Sequence, residues 1–420
     1  MYKRQIQACN PPDTYWALAL LWRPFGKRFV YDQHDLNPEV FLSRFGQADR
    51  PARKFQFAVL QMLEAATYRV ADHVISTNES YRSIALGRGR RQPETVTVVR
   101  SGPDTSAMRP IETSIDARKG HEYLAVYLGI MGPQDGVDRA LRAFAEVVHT
   151  YGRTDCHFAL LGFGDCLDDL KALAKELRVD EHVTFTGRVD RIGIADYLSA
   201  ADIGICPDPK SPLNDVSTMN KTMEYMAYCV PIVSFDLLET RVSAGDAAIY
   251  VESEDVEGLA KAWIGLLDDP DDRVSRGLYA RARAVHEMDW APQELKYVRV
   301  WEQVLGLDTG FVTDERSLSD DRDPQGRRYV NLGDEAELKH FIRHRSWAKH
   351  PRLSVVVDNG DVSAESKPAN DGHGDDGNGE DAQSDASAAD DASVTLSLVG
   401  AAAAITTTLL QEQSGSSNPS

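Results

Sequence analysis

Cys206-Pro-Asp-Pro-Lys-Ser-Pro-Leu-Asn-Asp-Val-Ser-Thr-Met-Asn-Lys-Thr-Met-Glu-Tyr-Met-Ala227, followed by Pro231-Ile-Val-Ser-Phe-Asp236, is the stretch on which the fold turns. It reads as a strand ending at Cys206, a proline-rich loop, a helix from about Asn220 and a further strand from Pro231 to Phe235. Ser217 or Thr218 stands where an N-cap belongs. Lys221 then falls in the first helical turn, where backbone amides already favour an anion such as a diphosphate. Glu224 lies one turn on and can accept two hydroxyl hydrogen bonds. Singly these residues have plainer readings, Lys221 and Glu224 as an i,i+3 surface pair and Asp215 as a loop acid. Cap, lysine, glutamate and loop length together favour a ligand site.

Working outward, short β-branched or aromatic runs recur at Phe29–Tyr31, His73–Thr77, Val96–Val99, Leu124–Leu128, His157–Leu161, Val183–Thr186, Asp202–Cys206, Pro231–Phe235 and Ala248–Val251. Helical periods separate them: Val137, Leu141, Phe144 and Val148 share one face, as do Leu167, Leu170, Leu173 and Leu177. Such alternation predicts an α/β protein with parallel sheets of Rossmann type. The turn-rich segment from Ser101 to Gly120 reads as a connector. The expected domains are therefore 1–115, 116–310 and a remainder, 311–420, with one more helix over Glu335–Ala348. From Asp358 the Asp, Ser, Gly, Asn and Ala bias predicts a disordered acidic tail. No internal repeat is visible.

The 420 residues and 46.5 kDa exceed one compact core. Hydrophobic residues at 42% and charged residues at 26% exclude a wholly disordered or fibrous chain. The net charge is −19, but twelve acidic residues and one lysine between Leu353 and Ser420 hold −11 of it, leaving −8 for the rest. Clustered basic charge is missing, so nucleic acid is not an expected partner. Cys9, Cys156, Cys166, Cys206 and Cys229 are odd in number and scattered, which predicts neither a disulfide framework nor a zinc site and points to the cytoplasm. Val394–Leu410 is too diluted by polar residues to span a membrane. Met1 to Gln5 matches the translation of a common sequencing adapter, so the reading frame is expected to have been cut within the first domain.

Tyr127-Leu-Gly-Ile-Met-Gly-Pro-Gln-Asp-Gly-Val-Asp138 reads as strand, glycine-bearing loop and helix start. Gly132 and its neighbours would let backbone approach an anion. This is not G-x-G-x-x-G, and no G-K-[ST] occurs.

From about Ile6 to Leu307 the chain resembles glycosyltransferase family 4, the retaining, metal-independent group with the GT-B fold, and in particular bacterial enzymes of cell-surface polysaccharide assembly. The resemblance rests on Tyr31-Asp-Gln-His-Asp-Leu-Asn-Pro-Glu39, Val98-Val-Arg-Ser-Gly-Pro-Asp104, Leu128-Gly-Ile-Met-Gly132, Phe185-Thr-Gly-Arg188 and Asn220-Lys-Thr-Met-Glu-Tyr-Met-Ala227 with Pro231. It implies two Rossmann-like domains facing a cleft, the N-terminal one incomplete here because the first strands and first glycine-rich loop are missing. The implied reaction moves a hexosyl group from a nucleoside diphosphate sugar, expected to be UDP-linked, to a glycan or lipid-linked acceptor. No cofactor or metal is implied.

By that resemblance His34 and Asp215 are catalytic, Gly132, Arg188, Asn220, Lys221 and Glu224 hold the donor, and Glu39 and Glu79 touch the acceptor. Glu224 matches the second glutamate of the family's E-x7-E motif. The first would fall on Val216, so adjacent Asp215 is its candidate. The family's basic pair after the first strand of this domain is absent from Gly132-Pro-Gln-Asp135, which leaves Lys221 and Arg188 to compensate the diphosphate. Asp269-Pro-Asp271 reads as a helix end rather than a metal-binding Asp-x-Asp. Trp16-Ala-Leu-Ala-Leu-Leu-Trp-Arg-Pro-Phe-Gly-Lys-Arg28 reads first as a helix packed on the sheet and second as a peripheral membrane contact at the inner face of the plasma membrane. The alternatives are a non-catalytic or inactive nucleotide-sugar-binding fragment and a sugar-nucleotide epimerase.

Overall fold

The computed structural model describes residues 5–46, 49–113, 115–313, 318 and 321–345. The acidic tail, the Val394–Leu410 stretch and residues 346–348 of the expected last helix lie outside them.

Two parallel sheets carry the fold. The first has the order β1 (Gln5–Cys9), β2 (Arg28–Gln33), β3 (His73–Ser76), β4 (Val96–Val98). Its crossovers are α1 (Trp16–Trp22), α2 (Asn37–Phe45) with α3 (Pro51–Val70), and α4 (Glu79–Gly87). β1 was not expected: Gln5, Gln7 and Cys9 dilute its apolar pattern, and only pairing with β2 makes it a strand. The other nine expected strands are all present within a residue or two.

The second sheet has six strands: β5 (Tyr123–Leu128), β6 (Cys156–Leu161), β7 (Val183–Gly187), β8 (Ile203–Cys206), β9 (Ile232–Phe235) and β10 (Ala248–Val251). Their spatial order is β10-β9-β8-β5-β6-β7, so the direction of winding reverses between β5 and β8. Its helices are α5 (Val137–Ala145), α6 (Leu167–Glu176), α7 (Arg191–Ala200), α8 (Asn220–Ala227), α9 (Leu238–Ala244), α10 (Val256–Asp268) and α11 (Pro270–Arg283). Both faces are covered, as a parallel sheet requires. Ala125 and Tyr127 of β5 pack with Leu141, Phe144, Leu170 and Trp263. Leu124, Val126 and Leu128 point the other way, towards Leu198, Met223, Met226 and Ala280.

At the reversal, β5 and β8 pair only through Ala125–Ile203 and Val126–Gly204, then diverge. The amide of Leu128 is left without a strand partner and donates instead to the Tyr225 hydroxyl, at 2.8 Å. A side chain at Gly204 would collide with the Tyr225 ring, its Cβ lying 2.5 Å from ring carbon. The glycine therefore seats α8 under the fork.

α11 begins where Asp269 accepts from the amides of Asp271 and Asp272, with Pro270 at the first position, so the acidic run is a capping device. α12 (Trp290–Leu305) leaves the second sheet and packs against β3 and β4. Tyr297 donates to Gln7, Gln293 accepts from the Arg100 amide, and Gln303 donates to the Glu94 carbonyl. α13 (Glu335–His344) lays Leu338, Phe341 and Ile342 against Val274 and Cys229. No described helix is long and apolar enough to cross a membrane.

The α1 helix packs on the first sheet as expected, through Ala19 and Trp16 against Phe29 and Tyr31, but with a narrow buried face. Ala19 is buried, while Leu18, Leu20, Leu21, Trp22 and Phe25 stay exposed, Leu21 at 64% and Phe25 at 70%.

Candidate active site

In open α/β sheets ligands settle outside the carboxyl ends of the strands at a topological switch point. Here that point lies between the loops after β5 and β8, and α8 ends its first turn there. Lys221 is buried, with Nζ 2.7 Å from Asp208 Oδ1 and 4.8 Å from the centre of the Tyr127 ring. Burial alone would lower its pKa, but Asp208, Tyr127 and Asp135 more than offset this and hold the ammonium charged. The i,i+3 surface-pair reading thus fails. Asp208 was not anticipated, although an acid two residues past a strand end was a visible signal. Its second oxygen is buried without a hydrogen-bond partner.

Glu224 is partly buried one turn behind. Burial pushes its carboxyl up to about 7 against the pull of Lys221 and Arg191. It makes no side-chain hydrogen bond among the described residues. Asn220 opens the helix and is exposed.

The expected cap is not formed: Met219 is the N-cap residue, with no side-chain bond. Thr218 and Ser217 bond across to the first domain instead. Asn78, fully buried, donates to Thr218 Oγ1 at 3.0 Å and to the Val216 carbonyl at 2.8 Å, while its own oxygen caps α4 through the Tyr81 amide. Tyr81 meets Ser217 at 3.2 Å, and Ser80 donates to Glu239 at 2.5 Å. A latch between the two sheets has taken the capping hydroxyls. Sequence could not show this, because the partners are some 140 residues apart.

Asp215 accepts from the Leu238 amide, at the start of α9, and pairs with Lys210 at 3.3 Å. Gly132 donates its amide to Asp135, whose carboxyl burial raises to about 6. That amide is therefore already engaged within its own loop. Arg188 is exposed, 5.7 Å from the Phe163 ring centre. Phe163 and Gly132 line a cleft of about 650 Å³ closed on its far side by Arg44 and Phe45 of α2. Arg44 is a base on this cleft that local sequence did not reveal.

In the first domain, His34 follows β2 and lies 3.1 Å from Asp32. Burial would lower its pKa, but hydrogen bonds to Asp32 and Cys9 prevail and raise it to about 10. Glu39 forms a two-pronged bond to Arg88, 2.6 and 3.1 Å, in a network with buried Glu64. Glu79 is exposed and 3.5 Å from Arg82. The structure thus brings Lys221 and Glu224 to one switch point. It ties Glu39 to Arg88 and leaves Glu79 at the surface.

The far end of α8 is equally specific. Arg281 donates to the Ala227 carbonyl at 2.8 Å, and Arg345 to those of Tyr228, at 2.8 Å, and Cys229. Two buried guanidiniums thereby close the carboxyl end of the helix. Burial lowers the pKa of Arg345 to about 10.

Residues 122–269, which contain the switch point and all of α8, match the model of the group 1 glycosyl transferases. The second sheet with its helices as far as α10 is therefore similar to the group 1 glycosyl transferases. The chain is 32% identical over 177 residues to phosphatidyl-myo-inositol mannosyltransferase of Mycolicibacterium smegmatis, covering 41% of this chain and 43% of that protein. It is 29% identical over 202 residues to glycogen synthase of Mycobacterium tuberculosis, covering 46% and 45%. It thus spans under half the length of either relative. Among solved structures, sucrose-phosphate synthase from Thermosynechococcus elongatus superposes with a TM-score of 0.56 at 19% identity, over 72% of this chain and 74% of that one. HepE of Anabaena, solved with UDP, gives 0.57 at 16%, over 71% and 78%. These similarities support the GT-B fold for the two sheets of this glycosyltransferase-like chain.

Proposed function

We propose that the chain is a retaining glycosyltransferase that takes a nucleoside diphosphate sugar, UDP-linked, on the glycosyltransferase domain and passes the hexosyl group to a glycan or lipid-linked acceptor. The observation that carries this is the juxtaposition, at the β5–β8 switch point, of a charged Lys221 in the first turn of α8 with a Glu224 carboxyl that makes no side-chain hydrogen bond among the described residues. In this reading Glu224 accepts the ribose hydroxyls. Lys221, Arg188, Arg44 and the α8 amides stabilise the leaving diphosphate, which is where a loose transition state gathers charge. His34 faces the transferred sugar from the first domain, and no metal takes part. Exposed Leu18, Leu20, Leu21 and Phe25, beside Arg23, Lys27 and Arg28, suit a peripheral contact with an anionic membrane that presents a lipid-linked acceptor.

A binding-only reading has its own support. Lys221 is already neutralised by Asp208, the Gly132 amide is satisfied by Asp135, and Asp215 is engaged with Leu238 and Lys210.

Calorimetry with UDP, GDP and ADP tests both. Transfer predicts saturable binding of one nucleotide, indifferent to chelator and lost in Glu224→Gln, together with release of that nucleotide from its sugar conjugate when acceptor is added. Binding without release selects the second reading. No binding by a folded chain whose Glu224→Gln form is also folded rejects both.

A further inference from the structure

Three donor side chains converge on the carboxyl edge of the first sheet. Cys9 closes β1, Asp32 is the penultimate residue of β2, and His34 follows it. The parallel pairing sets Cys9 directly beside Asp32. One ligand atom from each of the three lies within 4.8 Å of the others. His34 Nε2 is 3.1 Å from Asp32 Oδ1, and Cys9 Sγ is 3.6 Å from Asp32 Oδ2. Bond lengths of about 2.0–2.3 Å in a tetrahedral zinc site place ligand atoms roughly 3.3–3.8 Å apart. One measured separation lies just below that range and the other within it, so closure round an ion needs only small side-chain adjustments.

We infer that Cys9, Asp32 and His34 form a site for a borderline-soft divalent transition metal, zinc above all. Thiolate, imidazole and carboxylate suit such an ion, whereas magnesium and calcium would want oxygen alone. On binding, the Cys9 thiol and the His34 imidazolium each give a proton to solvent, and His34 Nε2 then ligates through the lone pair so freed. The thiolate and carboxylate together bring two negative charges against the two positive charges of the ion. Three protein ligands and an exposed Cys9 leave one position for water.

The outer layer is already ordered. Gln7 donates to Asp32 Oδ2 at 2.8 Å and is itself held by the Tyr297 hydroxyl at 2.6 Å. Asn10 accepts from the His34 amide at 2.8 Å and from the Asp35 amide at 3.1 Å, which fixes the turn that presents the imidazole. Second-layer contacts of this kind orient ligands before an ion arrives. Tyr297 comes from α12, so a helix that follows the second sheet helps build the site.

Occupation would withdraw His34 from the acceptor side. That consequence, inhibition of transfer by zinc, rests on the reading of His34 given above. The binding itself does not, and it is measured without turnover. Cobalt(II) is titrated into metal-free protein and followed by absorbance, with zinc as competitor. The expected result is one saturable cobalt per chain, with a sulfur-to-cobalt charge-transfer band and the intense visible bands of four-coordination. Zinc should erase both sets of bands. Cys9→Ser should lose the charge-transfer band, His34→Gln should weaken binding, and Cys166→Ser, which alters the other thiol that is not fully buried, should change nothing. Zinc should also protect Cys9 from alkylation. Cobalt that binds without a sulfur band, a band that survives Cys9→Ser, or an alkylation rate indifferent to zinc would each overturn the assignment. Because Cys9 is exposed, Cys9→Ser keeps the fold and the comparison remains decisive.

Discussion

The two sheets invite comparison because each hides a histidine against a threonine of the next strand. His73 of β3 meets Thr97 of β4 at 2.9 Å, and His157 of β6 meets Thr184 of β7 at 2.8 Å. Burial lowers both imidazoles to about 4, so both stay neutral in the fold. They part company in what covers them. The second sheet carries cores on both faces, with Trp263 fully buried against Phe144 and Phe158 at 5.3 and 5.0 Å between ring centres. The helices round the first sheet leave Leu21, Phe25, Phe55 and Met62 at least 60% exposed. One topology therefore serves two ends: a closed platform that holds α8 rigid at both its termini, and a partner whose apolar rim faces outward.

The comparison breaks most visibly at Lys221. Lys221→Met should cost roughly 3–5 kcal/mol, because Asp208 is left buried and unpaired. Adding Asp208→Leu should recover much of it, and urea midpoints of the two variants measure the difference. Recovered stability without recovered nucleotide binding in the double variant would show that Lys221 acts on ligand as well as on fold.

Trp263→Ala should cost about 3–5 kcal/mol through its cavity. In the first domain Leu21→Ala should stay within about 0.5 kcal/mol, since little contact is lost. Equal losses would sink the contrast between a closed and an open domain. Between these extremes, Arg345→Met should cost about 1–3 kcal/mol, because the Tyr228 and Cys229 carbonyls are left buried without a donor.

Acid sensitivity gives a finer test. An imidazole held at about 4 in the fold, against about 6.5 when unfolded, leaves the unfolded chain binding more protons between those values. Stability therefore falls as pH drops from about 6.5 to 4 and is fully present above that window. His121, His182 and Lys119 disfavour a further charge at His157, Asp116 opposes them, and Arg91 acts similarly on His73. Either His157→Gln or His73→Gln should flatten the urea midpoint across this range. A slope unchanged in both variants would place the acid sensitivity elsewhere.

The smallest effect is expected at the apolar rim. Leu21→Glu with Phe25→Glu should leave thermal unfolding nearly unchanged yet reduce sedimentation with vesicles containing anionic lipid. Unaltered sedimentation would remove the membrane reading.

Strand after strand was legible because buried parallel strands are short apolar runs between turn signals, and β5 to β10 are of that kind. β1 was not, since Gln5 and Gln7 make its pattern polar and their partners come from β2 and α12. α8 could be placed from its loop, its lysine and its glutamate. Its cap could not, because Ser217 and Thr218 face Asn78 and Tyr81 of the other sheet rather than their own helix. Local sequence by itself determined the alternation of strands and helices and the position of Lys221 and Glu224, which depend on neighbours a few residues away. Tertiary structure alone decided that Lys221 meets Asp208, that Glu39 meets Arg88, that Arg345 closes α8, and that Cys9 stands beside Asp32 and His34. Those pairings depend on strand order and on which faces meet, and residues far apart in the chain carry no local mark of either.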